Sequence, residues 1–581
     1  MNIVFLLALT VTAFCIAYRI YGRYIARVFN ENDSNPTPAK AIADGLDYVP
    51  SKTAVVFSHH FSSIAGGGPI IGPTVALLYG FYPTWLWIIL GGILIGAVHD
   101  YTSLFVSIRE KGRSIAEIAR KTMGNWGFVL FIVFTLFLIL LVCAAFLSLT
   151  ATALTSKVSL KTLGLPEDQT ILRTVYEPQT GETKGVIGGV ASTSVIIITL
   201  FAPVLGWLLV KRGIRILPAT VVAMLVAFGS VIIGLQRPVT FSPETWMILL
   251  SIYCFFASAL PVWLILQPRD FINSFILYGG LSAIVIAIIA GGFKGMVIEA
   301  PSFNIHEGNA RLGPLWPILF ITVACGAISG FHSLVASGTT SKQIQRESDA
   351  KKIGYGGMLL ESLLAASVLI ALSAGISFTD YMGIVFPDPR IAKSNPVLAF
   401  SLGTGLLIQK SLGIPVYIGT IFGIVMVEGF LATTLDTSVR LGRYLLEELW
   451  KVIFKEVPSI LRTPHFNSGI IVVVMFLLAY KQGFLLIWPV FGSANQLLAS
   501  LALIAVSVWL TGRAKKSLFT LLPAAFMIIT TVSSLLYLLF TKYLPSHNNI
   551  LSGFAIVLVL LACGVAVLAI KNLVSYLNGA K

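Results

Sequence analysis

Charged residues are scarce in this sequence: Asp, Glu, Lys and Arg together make up 11% of 581 residues. A soluble surface needs roughly 25% charged residues, so water cannot wet this chain on all sides. The low charge also excludes a disordered chain. Acidic residues are the rarer sign, 25 against 40 basic. The resulting +15 does not indicate nucleic-acid binding, because the Lys and Arg are spread over many short segments between apolar runs and form no stripe. Membrane topology requires that kind of spread. Cysteine is sparse as well. Cys15, Cys143, Cys254, Cys325 and Cys563 stand far apart, each inside an apolar run, and read as small core residues, which excludes a disulfide framework or a metal knuckle. No Gly-x-Ser-x-Gly elbow occurs and no H-x-x-x-H spacing; Ser329, Gly330 and His332 are the nearest imitation of a serine-histidine arrangement. These absences argue against an enzyme, a locally encoded metal site and any cofactor. A sensor would normally carry a soluble output domain, and none is visible.

What is present is hydrophobic sequence, 56% of the chain. A transmembrane helix needs about 20 mainly apolar residues. Fifteen such runs are expected, at 3–18, 54–79, 84–108, 126–150, 187–210, 216–234, 246–267, 272–292, 315–338, 355–376, 414–437, 468–480, 485–510, 518–540 and 552–570. The twelfth is short for a full crossing. The first run starts at Met1 without a basic leader and ends in Tyr18, Arg19 and Arg23 without a small-residue cleavage site, so it reads as a retained helix. With the 19–53 loop on the cytoplasmic side and the runs alternating, 28 of the 40 basic residues fall on that side and 12 on the other. The positive-inside rule then puts the N-terminus outside and the C-terminus inside.

Five runs lie within 54–234 and five more within 246–439. A repeated unit with an odd number of spans must be inserted upside down the second time. The expected organisation is therefore an N-terminal helix and cytoplasmic loop at 1–53, a first five-helix repeat at 54–234, a second, inverted repeat at 246–439, and C-terminal helices at 465–581. The first helix of each unit has the poorest helix chemistry. One reads HHFSSIAGGGPIIGP, with Ala65, Gly66, Gly67, Gly68, Pro69, Gly72 and Pro73 near mid-membrane; the other reads ASALPVWLILQPRDF, with Pro261, Trp263 and Pro268. Gly and Pro break helices, and a break at bilayer depth is tolerated only where it is buried or lines a cavity. Matching broken helices in inverted halves point to a transporter's binding site, so Ala65 to Pro69, Pro261 and Trp263 are the candidate substrate-binding residues. Simple kinking and packing is the competing reading, and it is stronger for Pro261 alone than for three consecutive glycines followed by proline.

Six blocks carry a resemblance: FSHHFSSIAGGGPIIGP at 57–73, GAVHDYTSLFVSIREKGRS at 96–114, LPVWLILQPRDF at 260–271, CGAISGFHSLVASGTTSK at 325–342, FLATTLDTSVRLGRY at 430–444 and WPVFGSANQLLAS at 488–500. In this order they resemble the carbon starvation protein A family. The resemblance implies an all-α polytopic membrane protein of bacteria or archaea, seated in the cytoplasmic membrane, with a five-plus-five inverted-repeat (LeuT/APC-like) core. It also implies uptake of pyruvate or related small carboxylates and of peptides, coupled to protons.

Ionisable side chains inside spans cost several kcal/mol and face a cavity or a partner. They are few: His59, His60, His99, Asp100, His332, Glu361, Glu428 and Asp436. At about 1.5 Å of rise per residue most fall in the inner half or near the midplane, which suggests one polar pathway. His59 and His60 are about 100° apart on a helix, so one faces the pathway and the other makes a structural hydrogen bond. His59, His60, Asp100, His332 and Glu428 are the candidates for carrying a coupling proton, and Asp100 with His59 or His60 is the favoured pairing. Asp436 stands four residues from Arg440 and reads as a local ion pair. Ser337, Thr339 and Thr340 offer the hard oxygen ligands of a sodium site, against a competing reading as small packing residues. No metal is expected, although His59, His60, Asp100 and His332 come from separate segments that can meet in three dimensions. An ion channel is the remaining alternative from another class.

Overall fold

Apolar runs of this length satisfy their backbone groups in hydrocarbon only as helices. The computed structural model describes residues 1–581 except 44–47, 179–180, 262–263, 389, 391–392, 482–483 and 578–581. Among the described residues eleven helices are long and apolar enough to cross a membrane, or twelve if the bent pair Val55–Ile64 and Gly68–Tyr79 is one span. The chain is a mostly helical, multi-pass membrane protein. Large apolar side chains such as Leu217, Leu225, Leu560 and Val567 lie exposed along these helices, as contact with lipid requires.

Three of the fifteen expected runs take another form. The 246–267 run is divided: one helix ends at Ala259 and the separate helix Leu266–Phe293 follows, so Pro268 sits in a first turn, where proline is tolerated. The 315–338 run is divided into Leu315–Thr322, a tight turn at Ala324–Gly326, and Phe331–Gly338. The 468–480 run lies in the modest helix Pro464–Lys481. One element was not expected: Pro396–Leu412 is a nearly fully buried helix that pairs with Val416–Ile453. Small residues make that pairing close, since a Cβ on Gly405 would stand 2.3 Å from Thr420 Oγ1 and one on Gly423 3.0 Å from the Ser401 Cα. The 151–186 segment also adds a small antiparallel sheet to the helical fold. Its strands β1 (Val158–Ser159), β2 (Thr174–Glu177) and β3 (Glu182–Gly185) are arranged in the order β1-β3-β2.

The chain divides into two compact units. The first comprises Met1–Leu7, Ile139–Pro301 and Ser367–Ile487 and contains the Pro396–Leu412 and Val416–Ile453 pair. The second comprises Ala8–Leu138, Ser302–Ala366 and Trp488–Lys581. In the second unit Thr53–Ile64 and Gly68–Ala76 meet at a bend of 41°, and Phe81–Arg109 follows with a π-turn at Gly92–Gly96. That turn packs tightly, because a Cβ on Gly92 would lie 2.3 Å from Ser362 Oγ.

Candidate functional site

Within the second unit the two interrupted spans meet at their breaks. A Cβ added to Gly68 would stand 2.5 Å from Cys325 Sγ, and one on Gly72 would stand 2.1 Å from the Val323 carbonyl oxygen, so only glycine permits this approach. The first break frees backbone groups at the start of Gly68–Ala76. Ile70 and Ile71 N–H donate back to the Gly67 carbonyl, while the Gly67 and Gly68 amides have no partner among the described residues.

The second break is held by side chains of the Phe484–Thr511 helix. Trp488 Nε1 donates to Thr322 O at 3.1 Å and Gln496 Nε2 to Phe320 O at 2.7 Å, satisfying carbonyls left at the end of Leu315–Thr322. Asn495 accepts from Phe331 N at 3.0 Å through its side chain and from Gly330 N at 3.0 Å through its carbonyl. Its Nδ2 also donates to Ser329 Oγ at 3.1 Å. These three side chains come from the WPVFGSANQLLAS block. Their individual roles were missed in the sequence, where the only signal was an Asn-Gln pair inside an apolar run.

Beside this break lies a chain of fully buried ionisable groups. His332 Nδ1 stands 2.8 Å from Asp100 Oδ2, and His99 Nδ1 stands 2.7 Å from Asp100 Oδ1. A carboxylate only accepts, so both Nδ1 atoms carry hydrogen and donate to Asp100. His332 therefore presents Nε2 to Glu361, whose Oε2 is 3.2 Å away. Two lone pairs at that separation in a dry interior repel, so either a proton or a metal ion lies between them. Cys325 Sγ completes the group: one ligand atom each from Cys325, His332 and Glu361 fall within 4.8 Å of one another.

The other expected site residues are placed as follows. His60 is buried and its Nδ1 bonds Thr340 Oγ1 at 2.9 Å; His59 is exposed on the other face of the helix, so neither pairs with Asp100 as the sequence favoured. Asp100 is taken by His332 and His99 instead. Ser337 Oγ donates to Ser333 O and accepts from Ile115 N, and Thr339 donates to Val335 O, both bonds that bind the hydroxyls to helix backbone. Pro261 is exposed in the link between Ala259 and Leu266, and Trp263 lies outside the described residues.

The first unit holds a second buried polar group. Arg269 Nη1 stands 2.6 Å from Asp436 Oδ2 and donates at 2.9 Å to Tyr253 Oη, while Tyr253 donates to the same carboxylate oxygen at 2.6 Å. This corrects the expected local pair of Asp436 with Arg440: Arg440 Nη2 donates to the carbonyls of Ala257 and Leu260, fastening the end of Pro243–Ala259. Asp270 accepts from Thr433 at 2.8 Å. Glu428 is fully buried, and neither carboxyl oxygen has a partner among the described residues.

The model of the family described as carbon starvation protein CstA matches residues 2–394 and 377–534. A protein of Bacillus subtilis named peptide transporter CstA is 31% identical, over 98% of this chain and 97% of its own length. One of Escherichia coli named pyruvate/proton symporter BtsT is 30% identical, over 94% of this chain and 82% of its own length. Among solved structures, MhsT in complex with L-phenylalanine is similar over 88% of this chain and 98% of that one, at 13% identity and a TM-score of 0.47. The relatives are transporters and not enzymes, and this chain belongs to the carbon starvation protein CstA family.

Proposed function

We propose that this protein is a secondary active transporter that imports pyruvate or related small carboxylates, or short peptides, by proton symport. The observation that carries this reading is the meeting of two interrupted spans inside one unit, with free amides on one side and a buried charged chain on the other. Such breaks bind substrate in secondary transporters. The Gly67 and Gly68 amides at a helix N-terminus suit a carboxylate, which both substrate classes carry. The breaks at 65–67 and 323–330, which meet within the second unit, are taken as the substrate site, although 323–330 does not lie in the first helix of the repeat expected at 246–439.

The coupling proton is assigned to Glu428. A buried ionised carboxylate without a donor is prohibitively costly, and the nearest guanidinium, Arg269, is already paired with Asp436. Glu428 is thus a carboxyl that holds a proton at membrane depth, with Arg269 as its charged neighbour. Asp100, the group favoured from sequence, instead positions His332. The protein sits in the cytoplasmic membrane with the N-terminus outside and the C-terminus inside.

Uptake of labelled pyruvate and dipeptides by purified protein in liposomes tests this. Accumulation should follow an imposed pH gradient, and Glu428→Gln should keep substrate exchange while losing gradient-driven accumulation. Accumulation that needs sodium and ignores the pH gradient overturns the symport reading, and pH-driven accumulation by Glu428→Gln removes Glu428 from coupling.

A further inference from the structure

We infer that Cys325, His332 and Glu361 form a binding site for one divalent transition-metal ion of zinc-like character. A soft thiolate, a borderline imidazole and a hard carboxylate together suit zinc or cobalt and are a poor set for sodium, calcium or magnesium. Zinc bonds of about 2.0–2.3 Å place tetrahedral ligand atoms about 3.3–3.8 Å from one another. The three ligand atoms already lie within 4.8 Å, and His332 Nε2 is 3.2 Å from Glu361 Oε2, so the group closes on an ion by small side-chain movements.

Two independent observations point to a ligand. His332 Nε2 and both Glu361 carboxyl oxygens are buried without a hydrogen-bond partner among the described residues, and they face each other. The second is the arrangement behind His332. Its Nδ1 is fixed by Asp100 at 2.8 Å, and Asp100 is itself fixed by His99 at 2.7 Å. That carboxylate contact orients Nε2 as a ligand, the outer-shell arrangement that metal-binding histidines use. Charge agrees in sign: the thiolate, the Glu361 carboxylate and the Asp100 carboxylate behind His332 together favour a divalent cation here, and three protein ligands leave a fourth position open for water or solute.

Two of the ligands come from the interrupted span, Cys325 in the tight turn and His332 in the helix after the break, and Glu361 comes from Lys351–Gly375. A bound ion therefore staples the two sides of the break to the neighbouring helix. The inference relies on the transport reading only for access to the buried site, because binding itself can be measured without transport.

Cobalt(II) titrated into purified, metal-free protein in detergent gives the test. One cobalt per chain should bind, with a thiolate-to-cobalt charge-transfer band in the near ultraviolet and the intense visible bands of a tetrahedral ion. Cys325→Ser should abolish the charge-transfer band, and Asp100→Asn should weaken zinc binding about 10- to 100-fold. A variant in which Cys15, Cys143, Cys254 and Cys563 are all replaced by Ala should keep the band, and it assigns the sulfur even where Cys325→Ser folds poorly. Absence of the band in the parent protein, or its loss in the four-cysteine variant, overturns the site. Because no uptake is measured, a negative result here leaves the symport reading intact, and failed uptake leaves this result intact.

Discussion

Arg269 shows how one buried residue joins several elements. It is 1% exposed, and its guanidinium meets Asp436 and Tyr253, so its charge has no water to fall back on. Removing one partner of such a pair leaves an uncompensated buried charge, at about 3–5 kcal/mol. Arg269→Met is accordingly expected to lower the melting temperature in detergent sharply, and Arg269→Met with Asp436→Asn to recover much of the loss; equal melting of both variants would contradict the pairing. Gly68 is constrained by space instead of charge. Gly68→Ala drives a Cβ to within 2.5 Å of Cys325 Sγ and is expected to cost about 1–3 kcal/mol, with relief from Cys325→Gly in the same chain. Outside the spans, Glu110 takes Lys121 Nζ at 2.5 Å, Trp509 Nε1 at 2.7 Å and Arg513 Nη2 at 2.8 Å. Burial pushes its carboxyl up, but those three donors together hold it below the usual carboxylate value of 4.5. Its contribution to stability is complete above that value and is lost as pH falls through the lowered one. Melting temperatures measured from pH 7 down to pH 3 should fall less steeply for Glu110→Gln than for the parent.

At the scale of elements, the helix ends decide where function sits. The break at 323–330 leaves carbonyls and amides that hydrocarbon cannot satisfy, and Trp488, Asn495 and Gln496 take them up. Asn495→Leu keeps the volume and removes the acceptor of the Phe331 amide, an unsatisfied buried donor costing about 1–3 kcal/mol. Loss of transport by the folded, purified variant would show that the 488–500 segment shapes the break; normal uptake would show that the break holds its form without it. The Pro396–Leu412 helix illustrates the opposite case. Its Ser401, Gly403, Thr404, Gly405, Gln409, Lys410 and Ser411 dilute the apolar signal below that of a lipid-facing span. Those small and polar residues suit a helix packed against other helices, and Gly413 ends it in the left-handed region at φ +76°.

Considered whole, the proposed orientation has support besides the count of crossings. In the second unit the ends of Ile3–Phe29, Phe81–Arg109 and Phe484–Thr511 and the 342–352 segment are tied together. Arg109 bonds Asn30 O and Glu347, Arg513 bonds Glu110, Lys515 bonds Phe29 O, and Val49 N donates to Lys342 O. This end is rich in Lys and Arg, so under the positive-inside rule the proposal takes it as cytoplasmic. Ile3–Phe29 ends there, and the proposed orientation, with the N-terminus outside, follows from that reading. The pair Leu518–Tyr543 and Asn549–Leu577 leaves and returns, so the same proposal places the C-terminus inside. Cysteine placed at Asn2 should react with an impermeant reagent on intact cells and cysteine at Lys571 only after permeabilisation; the reverse pattern inverts the orientation.

Local features of the chain were enough to reveal a multi-pass helical membrane protein of its family, a span broken at Gly66 to Gly68, and His332, Asp100 and Glu428 as ionisable groups within spans. Each follows from a local quantity: hydropathy over one helix length, the helix-breaking chemistry of Gly and Pro, and the cost of a charge inside an apolar run. The partners emerge only once the helices are packed. Asp100 chose His332 and His99 over His60, Asp436 chose Arg269 over its neighbour Arg440, and Cys325, which reads as a core residue, stands with His332 and Glu361. Those choices were illegible because spacing along one helix reports which residues share its face, whereas partners come from other helices, whose rotation and depth are set by close glycine contacts spread over the whole chain.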